Sequence, residues 1–328
     1  MRGLVLNEED GKVSATVREV ASEELPAFPV TVRVIYSTLN FKDAMVVAGL
    51  GRIVRSYPHV PGVDLVGEVL EDRSGSYRPG ELVVVTGFRM GEATWGGFSG
   101  QARVKPEWIV PLVPGLTPRQ AMAIGTAGLT SMLALHSITG AGVVAGDKPL
   151  LVTGATGGVG SIAVAIAHAS GFTVMASTGK ASEHDYLRSL GAAEIIDRSE
   201  LSKPPSSPLE ATRWCSAIEA VGGSTLAKVI SGTAAGGVVA SVGNASGNDF
   251  CASVLPFLLR GVQIHGIDSA QASLEARHRA WNDLATLLDT KLLESMTEEI
   301  GLDEIGEAVN DMLAGRVRGR LVVRVAED

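Results

Sequence analysis

The sequence predicts an α/β chain with two parts: a doubly wound parallel sheet domain and an irregular β-barrel domain. Three observations carry this. The first 120 residues are rich in strand and turn patterns and poor in helical ones. From about residue 117 the apolar period changes, and short β-rich runs alternate with helical ones as far as residue 243. The chain then closes on a strand pattern, 319–325, with no helix after it to continue the alternation.

In the first part, 31–39 is rich in β-branched residues, and 61–71 alternates with period two after a Pro-Gly turn. Residues 81–88 follow the Pro79-Gly80 turn; 95–104 carries three glycines; 108–113 is broken by Pro111. Thr117 and Pro118 suit the N-cap and first position of a helix, and Thr126 suits the cap of a second helix ending near 138. Strand 149–154, helix 161–170, strand 172–178, helix 183–191 and strand 194–197 follow. After a Ser- and Pro-rich surface loop at 199–208 come strand 215–221, helix 224–231 and strand 237–243. This rhythm implies a parallel sheet covered on both faces. Helices over 273–289 and 302–314 show apolar residues at helical spacing, the second stopping at Gly315. Strand 319–325 is expected to return to the N-terminal barrel. The expected boundaries are 1–120 with 268–328 for the barrel domain, and 121–267 for the parallel-sheet domain.

Composition narrows the function. The formal charge of −8 lacks the basic footprint of a nucleic-acid-binding protein. Two cysteines, Cys215 and Cys251, build no disulfide framework and no CxxC pair. Residues 120–146 and 149–179 carry no charge but are interrupted by glycine and threonine, which suits buried core rather than a membrane span. The start of the chain has no signal-peptide pattern, so a cytoplasmic, membrane-free protein is expected. Glycine, 39 of 328 residues, is in excess, which implies many backbone sites of positive φ or close approach to a ligand.

The chemistry begins at Val152-Thr153-Gly154-Ala155-Thr156-Gly157-Gly158-Val159-Gly160. A strand runs into a glycine-packed turn that opens a helix, so backbone N–H groups and the positive helix end converge where a pyrophosphate can sit. Ala155, Gly157 and Gly160 take the three positions of the dinucleotide fingerprint. An NAD binder would present an acid at the end of the next strand. Here that strand ends Ala176-Ser177-Thr178-Gly179-Lys180: two hydroxyls, a glycine and a cation, which suit a 2′-phosphate. Arg198, ending the third strand, could close the same pocket; a solvated surface role is the alternative for both cations. NADPH is the expected cofactor. The Tyr-x-x-x-Lys pair of short-chain reductases is missing, since none of the four tyrosines has lysine four residues on.

With these features the sequence resembles the zinc-free medium-chain dehydrogenase/reductase superfamily, and within it the acryloyl-CoA reductase (quinone oxidoreductase-like) subfamily. The resemblance spans essentially the whole chain. It is carried by Leu39-Asn40-Phe41-Lys42-Asp43, Pro61-Gly62-Val63-Asp64, Trp95-Gly96-Gly97 and Ile124-Gly125-Thr126-Ala127-Gly128. It continues in Thr153–Gly160, Val254-Leu255-Pro256-Phe257, Gly266-Ile267-Asp268-Ser269 and Gly319-Arg320. It implies a GroES-like barrel domain, a Rossmann domain, and hydride transfer from NADPH to the β-carbon of a 2-enoyl thioester such as acryloyl-CoA, giving propanoyl-CoA. A quinone or alkenal acceptor is the alternative. Zinc relatives carry Gly-His-Glu where this chain has Gly62-Val63-Asp64, and no cysteine precedes Cys215, so no metal ligands are assigned.

The family pattern places Phe41, Thr156, Gly157, Gly158, Val159, Thr178, Gly179, Lys180, Arg198, Asn244, Leu258 and Ser269 around the cofactor, joined here by Ser177 and Arg320. Asn40, Asp43 and Arg89 are the candidate catalytic residues: the first two by a shared short helical face, the third by contact with an anionic substrate. Phe41 stands where tyrosine is common and offers no acidic proton. Lys180 stands where arginine is usual, exchanging a planar fork for a point charge. The resemblance further implies a homodimer, with 261–267 as the edge strand that extends the sheet across a two-fold axis.

Overall fold

The computed structural model describes residues 1–326. It falls into two compact units, one formed by Met1–Thr126, Ala270–Ala285 and the chain from Leu293 on, the other by Ala127–Ser269 and Thr286–Leu292.

The first unit opens on an antiparallel hairpin of β1 (Arg2–Glu9) and β2 (Lys12–Glu19). Then come β3 (Val30–Leu39), helix α1 (Phe41–Val47), β4 (Asp64–Asp72), β5 (Leu82–Thr86), β6 (Gln101–Val104) and β7 (Ile109–Pro111). Within 95–104 only the last four residues are a regular strand, because the glycines there take turns that pack against the 61–64 backbone. Helix α2 (Pro118–Gly140) starts in this unit and continues into the other. Thr117 caps it reciprocally: its Oγ1 accepts from Gln120 N–H at 3.2 Å while its own N–H donates to Gln120 Oε1 at 3.0 Å. Two helices were expected from the paired Thr signals. Both are present within this span, separated at Gly125, whose φ 49°, ψ −157° is not helical. By length and composition α2 is apolar enough to cross a membrane, but most of it is buried as a core helix.

The second unit holds β8 (Leu150–Val152), α3 (Gly158–Ala169), β9 (Val174–Thr178), α4 (His184–Ser189), β10 (Ala192–Asp197) and α5 (Arg198–Ser202). It goes on through β11 (Ser216–Glu219), α6 (Gly223–Gly232), β12 (Val238–Ser241), α7 (Leu255–Arg260) and β13 (Gln263–Gly266). The strands form one six-stranded parallel sheet in the order β10-β9-β8-β11-β12-β13. Continuous apolar runs such as Leu150–Val152, 0% exposed, are what a sheet covered on both faces requires. The alternation read from the sequence is this sheet, and β13 lies at its edge.

After α8 (Leu274–Leu287) and α9 (Thr290–Ser295), β14 (Thr297–Gly301), α10 (Ile305–Leu313) and β15 (Arg320–Arg324) complete the first unit. β15 pairs antiparallel with β3, Leu321 opposite Leu39 and Arg324 opposite Tyr36, so the last strand does rejoin the N-terminal sheet. Its order is β14-β15-β3-β4-β5-β7, with β6 on the first half of β3. Val30, Val32 and Val34 point one way along β3 and are fully buried, packing with Leu65, Val85, Phe98, Leu321, Val323, Ile305 and Val309. The 255–260 helix, α9 and β14 carry no strong periodic signal and were not anticipated.

One loop departs from ordinary backbone. After β5, Gly87 (φ 78°), Phe88 (φ 54°), Arg89 (φ 59°) and Gly91 (φ 73°) are all left-handed. For Phe88 and Arg89 this costs on the order of 1–3 kcal/mol each. The cost is offset by a buried guanidinium: Arg277 (α8, 0% exposed) donates to Thr86 O (2.7 Å), Thr86 Oγ1 (2.9 Å), Ala270 O and Ala272 O (both 3.0 Å). It also lies 4.0 Å from the Phe88 ring centroid, and Phe88 stacks on Trp108 at 5.9 Å.

Leu65 is fully enclosed in the first unit's core. Leu65→Ala is expected to cost about 2–5 kcal/mol in urea unfolding; a loss below about 1 kcal/mol would contradict this packing.

Candidate functional site

Because all six strands of the second unit are parallel, their C-terminal ends lie along one edge of the sheet, where ligands of such sheets bind. The loop after β8 opens α3 with Gly157 as N-cap. The first helical N–H groups, at Gly158, Val159 and Gly160, have no intrahelical carbonyl and face that edge with the positive helix end. Ala155 N–H donates to Ser177 O (3.2 Å), fixing the loop to β9, and Gly157 N–H donates to Gly154 O (3.0 Å). A Cβ on Gly160 would collide with the Gly154 carbonyl and Ala155 Cα, whereas one on Gly157 would meet only Gly154 O at 3.4 Å. Gly160 therefore serves helix–loop packing, while Gly157 leaves room above the loop.

Next along this edge, β9 ends with Ser177 and Thr178, 2% and 5% exposed. Lys180 N–H donates to Thr178 Oγ1 at 3.1 Å. Arg198, one residue past β10, lays its side chain over Gly179, where an added Cβ would stand 2.5 Å from Arg198 Nε. Ser177, Thr178, Gly179, Lys180 and Arg198 are thus brought together, with no carboxylate at the strand end. Asp197, which ends β10 opposite Thr178, accepts from Ser199 N–H at 2.8 Å; its hydrogen bonds with Ser199 hold its carboxyl below the usual range. Asn244 follows β12, its Nδ2 donating to Asn248 Oδ1; Ser269 follows β13, its Oγ accepting from Thr130 Oγ1 at 2.7 Å. Both lie at the same edge. Leu258 does not. It sits on α7, 72% exposed, two residues before Arg260, whose carbonyl accepts from Gly236 N–H ahead of β12, at the opposite edge of the sheet.

Sequence reasoning passed over Glu219. This fully buried acid ends β11 and accepts from Val221 N–H (2.8 Å), Gly222 N–H (3.0 Å) and Thr153 Oγ1 (3.2 Å). Thr153 in turn accepts from Ala220 N–H at 2.9 Å, so Glu219 ties the phosphate loop to the neighbouring strand end. Burial pushes its carboxyl up, against those donors. An acid closing a buried strand before Gly222-Gly223 was the available signal.

In the first unit, Asn40, Asp43, Asp64 and Arg320 form one cluster. Asn40 caps α1, and Asp43 reaches back to accept from Asn40 N–H (2.9 Å) and Asn40 Nδ2 (3.2 Å) with one oxygen and from Val63 N–H (2.9 Å) with the other. Asp64 accepts from Thr38 Oγ1 (2.6 Å), Asn40 Nδ2 (3.0 Å), Thr126 N–H (3.0 Å) and Thr126 Oγ1. Arg320 donates to Ala123 O (2.8 Å) and Asn40 Oδ1 (3.1 Å), leaving Nη2 without a hydrogen-bond partner among the described residues. Both aspartates are 0% exposed and Arg320 is 2% exposed. Burial, reinforced by the Asp64 charge, pushes the Asp43 carboxyl up to about 7; burial pulls the Arg320 guanidinium down.

This revises the expected roles. Asp43 and Arg320 are enclosed, so neither offers an atom to a ligand. The amide of Asn40 is spent within the cluster. Phe41, 52% exposed, and Arg89, half exposed, do present their side chains outward. A zinc ion does not fit here: Val63 is apolar, Asp64 is saturated by donors, and among the described residues no thiolate or imidazole joins them. No group of three or more metal-ligating side chains occurs among the described residues.

Residues 27–115 match the model of the alcohol dehydrogenase GroES-like domain, and residues 158–289 that of the zinc-binding dehydrogenase. The chain is 46% identical to acrylyl-CoA reductase AcuI of Ruegeria pomeroyi over 97% of each chain. It belongs to the medium-chain dehydrogenase/reductase superfamily. Among solved members, the Salmonella enterica yhdH oxidoreductase in complex with NADP superposes with a TM-score of 0.97 at 40% identity, covering 99% of this chain and 100% of that one. Bacillus subtilis yhfP with NAD bound gives 0.95 at 36%, covering 99% of each. The superfamily's two-domain plan accounts for both units described above.

Asp43 titrates near 7 in the fold but near 3.8 when unfolded. A raised folded value contributes stability that is complete below about pH 4 and lost as pH rises through 7. Urea unfolding is expected to show stability declining from pH 5 to pH 8, with the slope flattened in Asp43→Asn; an unchanged slope would remove Asp43 as its source.

Proposed function

We propose that the chain is an NADPH-dependent reductase of 2-enoyl thioesters, adding hydride to the β-carbon of acryloyl-CoA or a close relative to give the saturated thioester. The observation that carries the cofactor reading is the end of β9, where Ser177, Thr178 and Lys180 meet Arg198 over Gly179 and no acid stands to receive a ribose 2′-hydroxyl. The kinship with acrylyl-CoA reductase AcuI supports the acceptor.

When bound, NADPH supplies the hydride. The residues of this chain hold and orient. Thr156, Gly158 and Val159 offer backbone N–H groups to the diphosphate, with Gly157 leaving room above the loop, backed by the α3 dipole. The hydroxyls of Ser177 and Thr178 and the cations of Lys180 and Arg198 hold the 2′-phosphate. Asn244 and Ser269 lie farther along the same strand edge, beside the path of the dinucleotide. Phe41 offers an exposed apolar face and no proton. Asn40, Asp43 and Arg320 act as positioning residues, because their hydrogen bonds fix the start of α1 and hence Phe41 and Lys42. Arg89 meets the anionic part of the substrate.

The enzyme works as a cytoplasmic homodimer. β13 is an edge strand with unpaired backbone on one side, and α7 beside it in sequence exposes Leu258 and Leu259 (72% and 67%), which suits pairing with a second copy. Light scattering should give twice the 34.0 kDa chain mass; a monomer rejects this assembly.

Charge-assisted bonds to a phosphate contribute about 1.5–3 kcal/mol each. Lys180→Ala and Arg198→Ala are each expected to weaken NADPH binding roughly 10- to 100-fold in calorimetry while NADH binding holds. Equal affinity of the parent protein for NADH and NADPH overturns the cofactor reading. The acceptor is tested by following NADPH oxidation with acryloyl-CoA and with a quinone: turnover of the quinone alone overturns the thioester reading.

A further inference from the structure

The left-handed run at 87–91 is held far more tightly than a surface turn needs. Beyond the four Arg277 bonds and the Phe88 stack, Gly87 N–H donates to Val63 O and Phe88 N–H to Ala270 O, both at 3.0 Å. Arg89 O accepts from Glu92 N–H (3.2 Å) and Ala93 N–H (2.9 Å). Strained backbone fixed this rigidly persists where a side chain has to be aimed. The one it aims is Arg89, whose guanidinium makes no hydrogen bond among the described residues. Its ion pair among the described residues is with Glu92, Nε 3.9 Å from Oε2. The same carboxylate, 9% exposed, pairs with Lys42 Nζ at 3.2 Å. Lys42 and Arg89, with side chains 51% and 53% exposed, therefore share one sunken acid and carry a net positive charge into solvent. Lys42 adjoins Phe41 on the first turn of α1. A planar fork with open donors, carried on fixed backbone beside an ammonium, suits a phosphate group.

We infer that Arg89 with Lys42 forms a phosphate-reading station for the coenzyme A part of the substrate, and that Arg277 is its positioning residue, acting through Phe88. This rests on the thioester reading above. Sharing the Glu92 carboxylate holds the two cations side by side, so that one phosphate can be gripped by both. Arg277 itself is enclosed and touches no ligand; its part is to hold the loop in the one conformation that points Arg89 outward.

The decisive variant is Arg89→Gly, because glycine is at ease at φ 59° and removes the fork without stressing the loop. Free coenzyme A is the binding probe. The kinetic comparison sets acryloyl-CoA against acryloyl-N-acetylcysteamine, which has the same reacting atoms and no phosphate. Arg89→Gly is expected to weaken coenzyme A binding about 10-fold or more, to collapse the preference for acryloyl-CoA by a similar factor through KM rather than kcat, and to keep or raise Tm. Arg277→Lys is expected to give the same KM-weighted loss of preference, with NADPH affinity read in parallel as a check on folding. Coenzyme A affinity unchanged in Arg89→Gly, an unaltered preference ratio, or no binding of coenzyme A by the parent protein overturns the station. Coenzyme A binding that depends on Arg89, in a protein that fails to reduce acryloyl-CoA, removes the reductase reading and leaves the station standing.

Discussion

Two carboxylates and one guanidinium, all withdrawn from water, organise the first unit. Removing such charges from solvent is expensive, and the expense is met only when nearly every polar atom finds a partner. Asp43 and Asp64 between them accept from the backbone of Asn40, Val63 and Thr126 and from the side chains of Thr38, Asn40 and Thr126. These bonds, with those from Arg320 to Ala123 O and Asn40 Oδ1, join the end of β3, the start of α1, the start of β4, the kink of α2 and the start of β15. Burial, reinforced by the neighbouring Asp64 carboxylate, is why Asp43 holds its proton towards neutrality. Gly125 belongs to the same constraint: a Cβ there would approach Asp64 Oδ2 to 2.8 Å and Arg320 Nη2 to 3.0 Å, so the helix breaks at a residue that has none.

In the second unit the corresponding constraint is direction. Six strands running the same way put every strand-to-helix loop on one edge, and Glu219 and Thr153 fasten two of those loops together. In the proposed reading, cofactor recognition then needs only short-range chemistry: bare N–H groups at one loop, hydroxyls and cations at the next.

Much of this was legible in the residues. The alternation from Leu150 to Ser241 announces a parallel sheet because buried strands must be apolar throughout, and Gly154 to Gly160 announces the phosphate turn because backbone has to approach the ligand. The absence of an acid between Ala176 and Lys180 is equally plain. Other features depend on partners distant in sequence. Asn40 and Asp43 looked like groups facing a substrate; only Arg320, 280 residues from Asn40, reveals that they face each other and the core. Arg277 reads as one more charge on an amphipathic helix until Thr86, 191 residues away, is seen to receive it. Leu258 could be placed by family pattern but not by periodicity, since α7 is only six residues long.

The overlap of Arg198 with Gly179 bears on redesign of coenzyme preference. An engineer seeking an NADH-using form would install aspartate at 179, where the diol of the ribose would be grasped. In this protein the incoming carboxylate would fall onto the Arg198 side chain and be captured by it, leaving a neutral pair that greets neither coenzyme well. In the proposed cofactor reading the two positions are therefore epistatic: the arginine has to be replaced before, or together with, the glycine, and a library that varies them singly would miss the switch.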